Sequence, residues 1–207
     1  MSEIVATDYL DCLLKSWSTK SNEPSSWLNR LRARAIDHVS TQRLPTKRDE
    51  EWRFTDISAL TRLSFQSAQP RTNLRAQDIE HLYLKEAKNS LVFVDGYYSP
   101  QLSTRIDSTV LQIGNLSTFL LAHASVLESH FGQYARFDNN VFAALNTAFL
   151  RDCALIIAPK NTIIAEPIHL LFIATQSEAT SYPRCLIIGE SGSNVTFVED
   201  YVSLQEA

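Results

Sequence analysis

The chain has 207 residues, 44% of them hydrophobic and 20% charged, with a formal net charge of −4. A chain of this size buries roughly 70% of its unfolded surface, so it can build a core. No apolar run reaches the ~18 residues of a membrane span, and the negative balance implies no general nucleic-acid surface. Met1–Asp8 is acidic and lacks both a basic n-region and an apolar h-region, which predicts no leader peptide and a cytoplasmic protein.

Ile4, Tyr9, Leu10, Leu13, Leu14 and Trp17 fall loosely on one face and predict a first helix, broken at 18–24. Trp27, Leu28, Leu31, Ala35, Ile36 and Val39 recur at spacings of three and four, predicting an amphipathic helix. Its other face carries Arg30, Arg32, Arg34 and Asp37 and is expected to be solvated. Proline at 45 ends that stretch, because the preceding residue is pushed out of the helical region. Thr46 followed by Asp49 reads as an acidic variant of the capping box, and Trp52 as an anchor that a short helix buries.

Residues 76–88 look helical through Ile79, Leu82, Tyr83 and Ala87. Leu91–Val94 predicts a strand closed by the Asp95-Gly96 turn, and 110–113 a second strand. A helix over 117–131 follows, with His123 and His130 read as exposed or satisfied side chains. Another helix runs over 141–149, with Asn140 as its cap. Beyond position 150 the helical spacing disappears. Short apolar runs at 155–158, 163–165, 168–174, 186–188 and 195–202 alternate with turn residues. Leu170-Leu171-Phe172-Ile173 is apolar at both parities, as in a strand covered on both faces. Val195, Phe197 and Tyr201 share one parity, which suits a half-exposed strand. The pattern alone leaves an antiparallel sandwich and the first coils of a β-helix both open.

The search for chemistry returns no catalytic, cofactor-binding or metal-binding residue. Cys12, Cys153 and Cys185 form no C-x-x-C pair and have no His at ligand spacing, so they read as buried, inert thiols. No phosphate-binding glycine loop and no nucleophile–base motif is present. An enzymatic alternative rests on Asp152, Glu166, His169, Glu190, Glu199 and Asp200, most of which adjoin turns.

Three blocks carry a resemblance. Pro45 leads to Glu50-Glu51-Trp52-Arg53-Phe54-Thr55-Asp56; Leu91–Pro100 supplies Val92-Phe93-Val94-Asp95-Gly96-Tyr97-Tyr98-Ser99; and Ala144–Asp152 precedes Pro159-Lys160 and Pro167-Ile168-His169-Leu170. In this order they resemble the SufB/SufD family of iron–sulfur cluster assembly subunits, and Glu50-Glu51-Trp52-Arg53 points to its SufD branch. The resemblance implies an α+β fold, with a mainly helical N-terminal domain over 1–140 and the first coils of a right-handed parallel β-helix over 141–207. It implies a non-catalytic scaffold that supports cluster assembly and iron acquisition beside a SufB-like paralogue and a SufC-like ATPase. The family's cluster-forming Cys and His positions fall after Ala207, so no cofactor is expected within this chain. An uncapped coil end predicts a longer protein, and a homodimer when the piece is alone. The competing readings are a β-helical carbohydrate-active or acyltransferase enzyme and a generic protein-interaction module.

Overall fold

Two kinds of apolar periodicity, helical and two-residue, sort the chain into two units that are each discontinuous in sequence. One comprises Met1–Ser67, Glu128–Leu150 and Glu178–Tyr182; the other Ala68–Leu127, Arg151–Ser177 and Pro183–Ala207. The computed structural model describes residues 9–15, 17, 26–62, 66–70, 73–104 and 110–205. Ile4, the break at 18–24 and the acidic first eight residues lie outside these.

In the first unit, residues 9–15 form α1 and Ser26–Thr41 form α2. Helix α5, Val141–Ala148, begins where Asn140 accepts from the N–H groups of Phe142 and Ala143, as its side chain predicts. One core joins Leu13 from α1, Ala35 and Val39 from α2, and Ala144, Leu145 and Ala148 from α5. Each fully buried leucine or valine there contributes about 1.5–3 kcal/mol of transfer free energy. Arg32 departs from the solvated face expected of it. It is only 7% exposed, and its Nε and Nη2 donate to the Leu150 carbonyl at 3.1 and 2.7 Å. A carbonyl left over beyond the end of α5 needs donors, and a planar guanidinium supplies two.

The Thr46–Asp49 exchange forms, but it starts a 3-10 turn at Glu50–Trp52 rather than a helix. Asp49 accepts from Thr46 N–H at 2.7 Å, and the Thr46 hydroxyl accepts from Arg48 N–H. Trp52 leans on Phe142 with ring centroids 5.3 Å apart. Phe54 stays 93% exposed. The unit also holds two short parallel strands, β1 Gln66–Ser67 and β7 Ala179–Thr180.

The second unit is built on two sheets. Strands β2 Asn89–Val94, β3 Tyr97–Tyr98, β6 Ile168–Ala174 and β9 Phe197–Ser203 order as β3-β2-β6-β9. Strands β4 Gln112–Asn115, β5 Ala154–Ala158 and β8 Cys185–Gly189 order as β4-β5-β8. β2 and β3 make an antiparallel hairpin, and β4 pairs antiparallel to β5. Asp95 and Gly96 turn the hairpin at φ of 53° and 86°, the positive values that a two-residue turn demands. β2–β6, β6–β9 and β5–β8 are all parallel. The chain returns at a nearly constant interval: Ala154 pairs with Cys185, Ile163 bridges Asn194 and Ile168 pairs with Phe197. Among the described residues, strands that both lie after position 150 pair only in parallel, β5 with β8 and β6 with β9, and the antiparallel sandwich left open by the pattern does not form there.

β6 is buried on both faces, as its apolar parity predicts. Ile168, Leu170 and Phe172 join Leu91, Phe93, Ala154 and Ile156 between the two sheets. Leu171 and Ile173 pack on the opposite face with Val92, Val94, Ile79 and Leu102. Two helical expectations are corrected. Residues 76–88 form 3-10 turns at Ala76–Asp78 and Glu80–Leu82, because Tyr83 is extended and its hydroxyl donates to the Leu102 carbonyl at 2.6 Å. The 117–131 stretch divides at His123 into α3 Leu116–Ala122 and α4 Ala124–His130.

Candidate functional site

A polar side chain inside a covered sheet must have its hydrogen bonds made locally. His169 shows how this chain meets that demand. β6 turns His169 toward the face that carries Leu171 and Ile173, where it is fully buried. Its Nδ1 accepts from Leu84 N–H at 3.3 Å, and its Nε2 donates to Asp200 Oδ2 at 2.9 Å. Both ring nitrogens are engaged, and the accepting Nδ1 fixes the neutral tautomer. Of the six residues behind the enzymatic reading, this pair is directly hydrogen-bonded, and no nitrogen of the ring is left free to take a substrate proton.

The other four are held elsewhere. Asp152, just before β5, accepts from Tyr98 N–H, Leu116 N–H, Cys153 N–H and Asn115 Nδ2 at 2.9–3.2 Å. Burial pushes its carboxyl above the ordinary range, while those donors, Asn115 foremost, pull it back. Glu166 pairs with Lys88, whose ammonium holds its carboxyl low. Glu190 accepts from Lys160 N–H in a turn. Glu199, on β9, accepts from the Tyr201 hydroxyl at 2.7 Å.

The cysteines divide three ways. Cys12 is exposed, which corrects the expectation of burial for that thiol; α1 buries Leu13 and turns Cys12 outward. Cys153 is fully buried, and burial raises its thiol well above the usual range. Cys185 is half-buried at the start of β8, and its thiol is pushed up to about 12, by burial first and then by the Glu199 carboxylate. Among the described residues no trio of His, Cys, Asp or Glu is placed to hold a metal.

Sequence reasoning missed two hubs. Asp95 was legible only as a turn residue, yet it is buried and accepts from Thr175 N–H, Thr175 Oγ1 and Gln176 Nε2 at 2.6–2.8 Å. Asp152 carries no local pattern that announces its four donors. The Cys185–Glu199 proximity also needed the strand register, which no sequence spacing encodes. One arrangement remains distinctive: among the described residues β9 is the outermost strand of its sheet, and the stacked rings of Phe93, Phe172 and Tyr201 run across β2, β6 and β9 at 5.1 and 4.9 Å. Exposure rises along that stack from 7% at Phe172 to 60% at Tyr201.

The described geometry defines a class: an α+β protein whose parallel strands return at short, regular intervals and whose polar side chains mainly tie the backbone together. A family model described as the SufBD protein N-terminal region matches residues 4–170, and the chain belongs to the SufB/SufD family. It is 38% identical over 192 residues to an iron–sulfur cluster assembly SufBD family protein of Synechocystis sp., covering 91% of this chain and 42% of that relative. It is 25% identical over 200 residues to the iron–sulfur cluster assembly protein SufD of Bacillus subtilis, covering 92% and 44% of the two chains. The Escherichia coli SufD is 25% identical over 168 residues, or 79% of this chain and 37% of that protein. The chain thus spans less than half the length of these relatives.

Proposed function

We propose that this chain is the N-terminal part of a SufD-type scaffold subunit in an iron–sulfur cluster assembly complex. In this reading it performs no reaction itself and works in the cytoplasm beside a SufB-like paralogue and a SufC-like ATPase. The iron–sulfur cluster is cargo of the complete assembly, which it helps to build and supply with iron. The observation that carries the proposal is the family match over residues 4–170.

The strand pairing supports the finer architecture. Parallel returns of 31 residues from Ala154 to Cys185 and 29 from Ile168 to Phe197 suit successive coils of a right-handed β-helix. Such coils offer long edges and flat flanks to a partner, which is the physical demand on a scaffold. The doubly engaged His169 weighs against the hydrolase or transferase alternative, since a general base needs a free lone pair. The test is co-purification of the tagged full-length protein with SufB and SufC homologues. Recovery of both in stable stoichiometry is the expected result; recovery of neither refutes the proposal.

A further inference from the structure

A strap, residues 74–88, covers one face of the β2–β6 pair, laying Leu74, Ile79, Leu82 and Tyr83 over Val92, Val94, Leu171 and Ile173. Three polar contacts fasten it. The Tyr83 hydroxyl donates to the Leu102 carbonyl, Lys88 pairs with Glu166, and between these Leu84 N–H donates to Nδ1 of His169. The two flanking contacts withstand mild acid. Burial raises the Tyr83 phenol, and the Lys88 ammonium holds the Glu166 carboxyl below its ordinary range. The middle contact does not withstand it. Nδ1 accepts only while it carries no hydrogen, and an imidazolium carries one on each ring nitrogen. A proton taken up by His169 therefore sets N–H against N–H at Leu84. Nothing is lost at the other nitrogen: Nε2–H keeps its bond to Asp200 Oδ2, now between opposite charges.

The surroundings single out these two partners. His169 is fully buried, with the uncharged Ser90 of β2 and Val198 of β9 in register beside it. Asp200 is the carboxylate that β9 brings to the ring. On the strap, His81, Lys85 and Glu86 are exposed to water, while Tyr83 and Lys88 are held as described. From these bonds we infer that His169 is an acid-sensitive latch: on protonation it lets go of Leu84 and keeps Asp200, freeing the middle of the strap while both flanking contacts stay closed. Asp200 is a positioning residue in this device. Its acceptor oxygen sets the tautomer that holds Leu84, and its charge favours the protonated ring that releases it. The latch uses contacts within residues 74–200 alone and stands or falls independently of the iron–sulfur reading.

The test is hydrogen exchange of the full-length protein by mass spectrometry, as protection corrected for the chemical exchange rate, between about pH 8 and about pH 5. Protection of the peptide holding Leu84 is expected to fall about fivefold or more on acidification, while peptides from β2 and β6 keep theirs. His169→Asn, which offers a non-titrating carbonyl near the Nδ1 position, should flatten that response. Asp200→Asn keeps an acceptor for Nε2–H but removes the charge, and should move the release to lower pH, which a merely structural role would not do. His81→Asn should leave the response as it is. Protection at Leu84 that ignores pH, a loss that spreads to β2 and β6 in the same step, or an unmoved release in Asp200→Asn would overturn the inference. So would a response that disappears in His81→Asn. Should His169→Asn fail to fold, the Asp200→Asn shift decides alone.

Discussion

The two units solve the problem of burying polar groups in different ways. The helical unit keeps most of its hydrogen bonds local and fastens the remainder with long side chains: Arg32 reaches the Leu150 carbonyl, and the Trp17 indole donates to the Ala148 carbonyl at 3.1 Å. The strand unit instead places short carboxylates where several donors converge: three backbone N–H groups and the Asn115 amide on Asp152, and one N–H, a hydroxyl and an amide on Asp95. A long reaching cation tolerates local adjustment, whereas a half-buried carboxylate that collects four donors does not. Damage to the strand unit's hubs should therefore cost more per atom removed.

The largest effect is expected from Asp152→Ala. It strands four donors and should lower stability by about 3 kcal/mol or more in denaturant unfolding followed by circular dichroism. Leu145→Ala, which removes a buried side chain from the helical core, should cost about 2–4 kcal/mol by the same measurement. Arg32→Ala sharpens the contrast. It should cost about 2 kcal/mol, with Arg32→Lys restoring only part, since an ammonium cannot reproduce the fork on Leu150. Loss of the α5 cap in Asn140→Ala is worth about 1 kcal/mol, readable as a lowered thermal midpoint.

Individual carboxyls also answer acid with opposite sign. Hydrogen bonding to Arg43, and then to Thr46 N–H, holds the Asp49 carboxyl far below its ordinary value; Lys47, and then Ser58 N–H, does the same for Asp56. A lowered carboxyl contributes stability that is present above the unfolded-state value, near 3.8, and is lost as pH falls through the folded one. Asp152 is raised, so its contribution is fullest below the unfolded-state value and is lost as pH rises through the folded one. Unfolding midpoints measured between neutral and acid pH should fall less steeply in Asp49→Asn than in the parent chain. In Asp152→Asn the fall should steepen, because the opposing slope is gone. An unchanged profile in both variants would show that neither carboxyl governs the acid limb.

Legibility in the sequence follows the range of the interaction that decides each element. Asn140, the Asp95-Gly96 turn and the double-faced β6 were readable because a cap, a turn and a strand are settled within a few residues. Residues 76–88 misled because their helical spacing loses to Leu84 N–H donating to His169, a partner 85 positions away. Arg32 misled for the same reason, its acceptor lying 118 positions on. β9 alternates in exposure as a half-exposed strand should, with Phe197, Glu199 and Tyr201 on the more open parity. The candidate site was least legible of all. His169 could be named within its motif, but its two partners come from a loop and a strand that only the register brings to it.

The parallel order has a consequence for how the chain is made. β9 pairs with a strand begun only 29 residues earlier, but β2 must wait for β6, whose Ile168 joins Asn89 from 79 positions further on. During synthesis from the N-terminus, β2 leaves the ribosome with Leu91, Val92, Phe93 and Val94 all destined for burial and no parallel neighbour yet translated. Cotranslational folding of the sheet therefore closes late, and the nascent chain is most in need of a chaperone while residues between the hairpin and β6 are still being added.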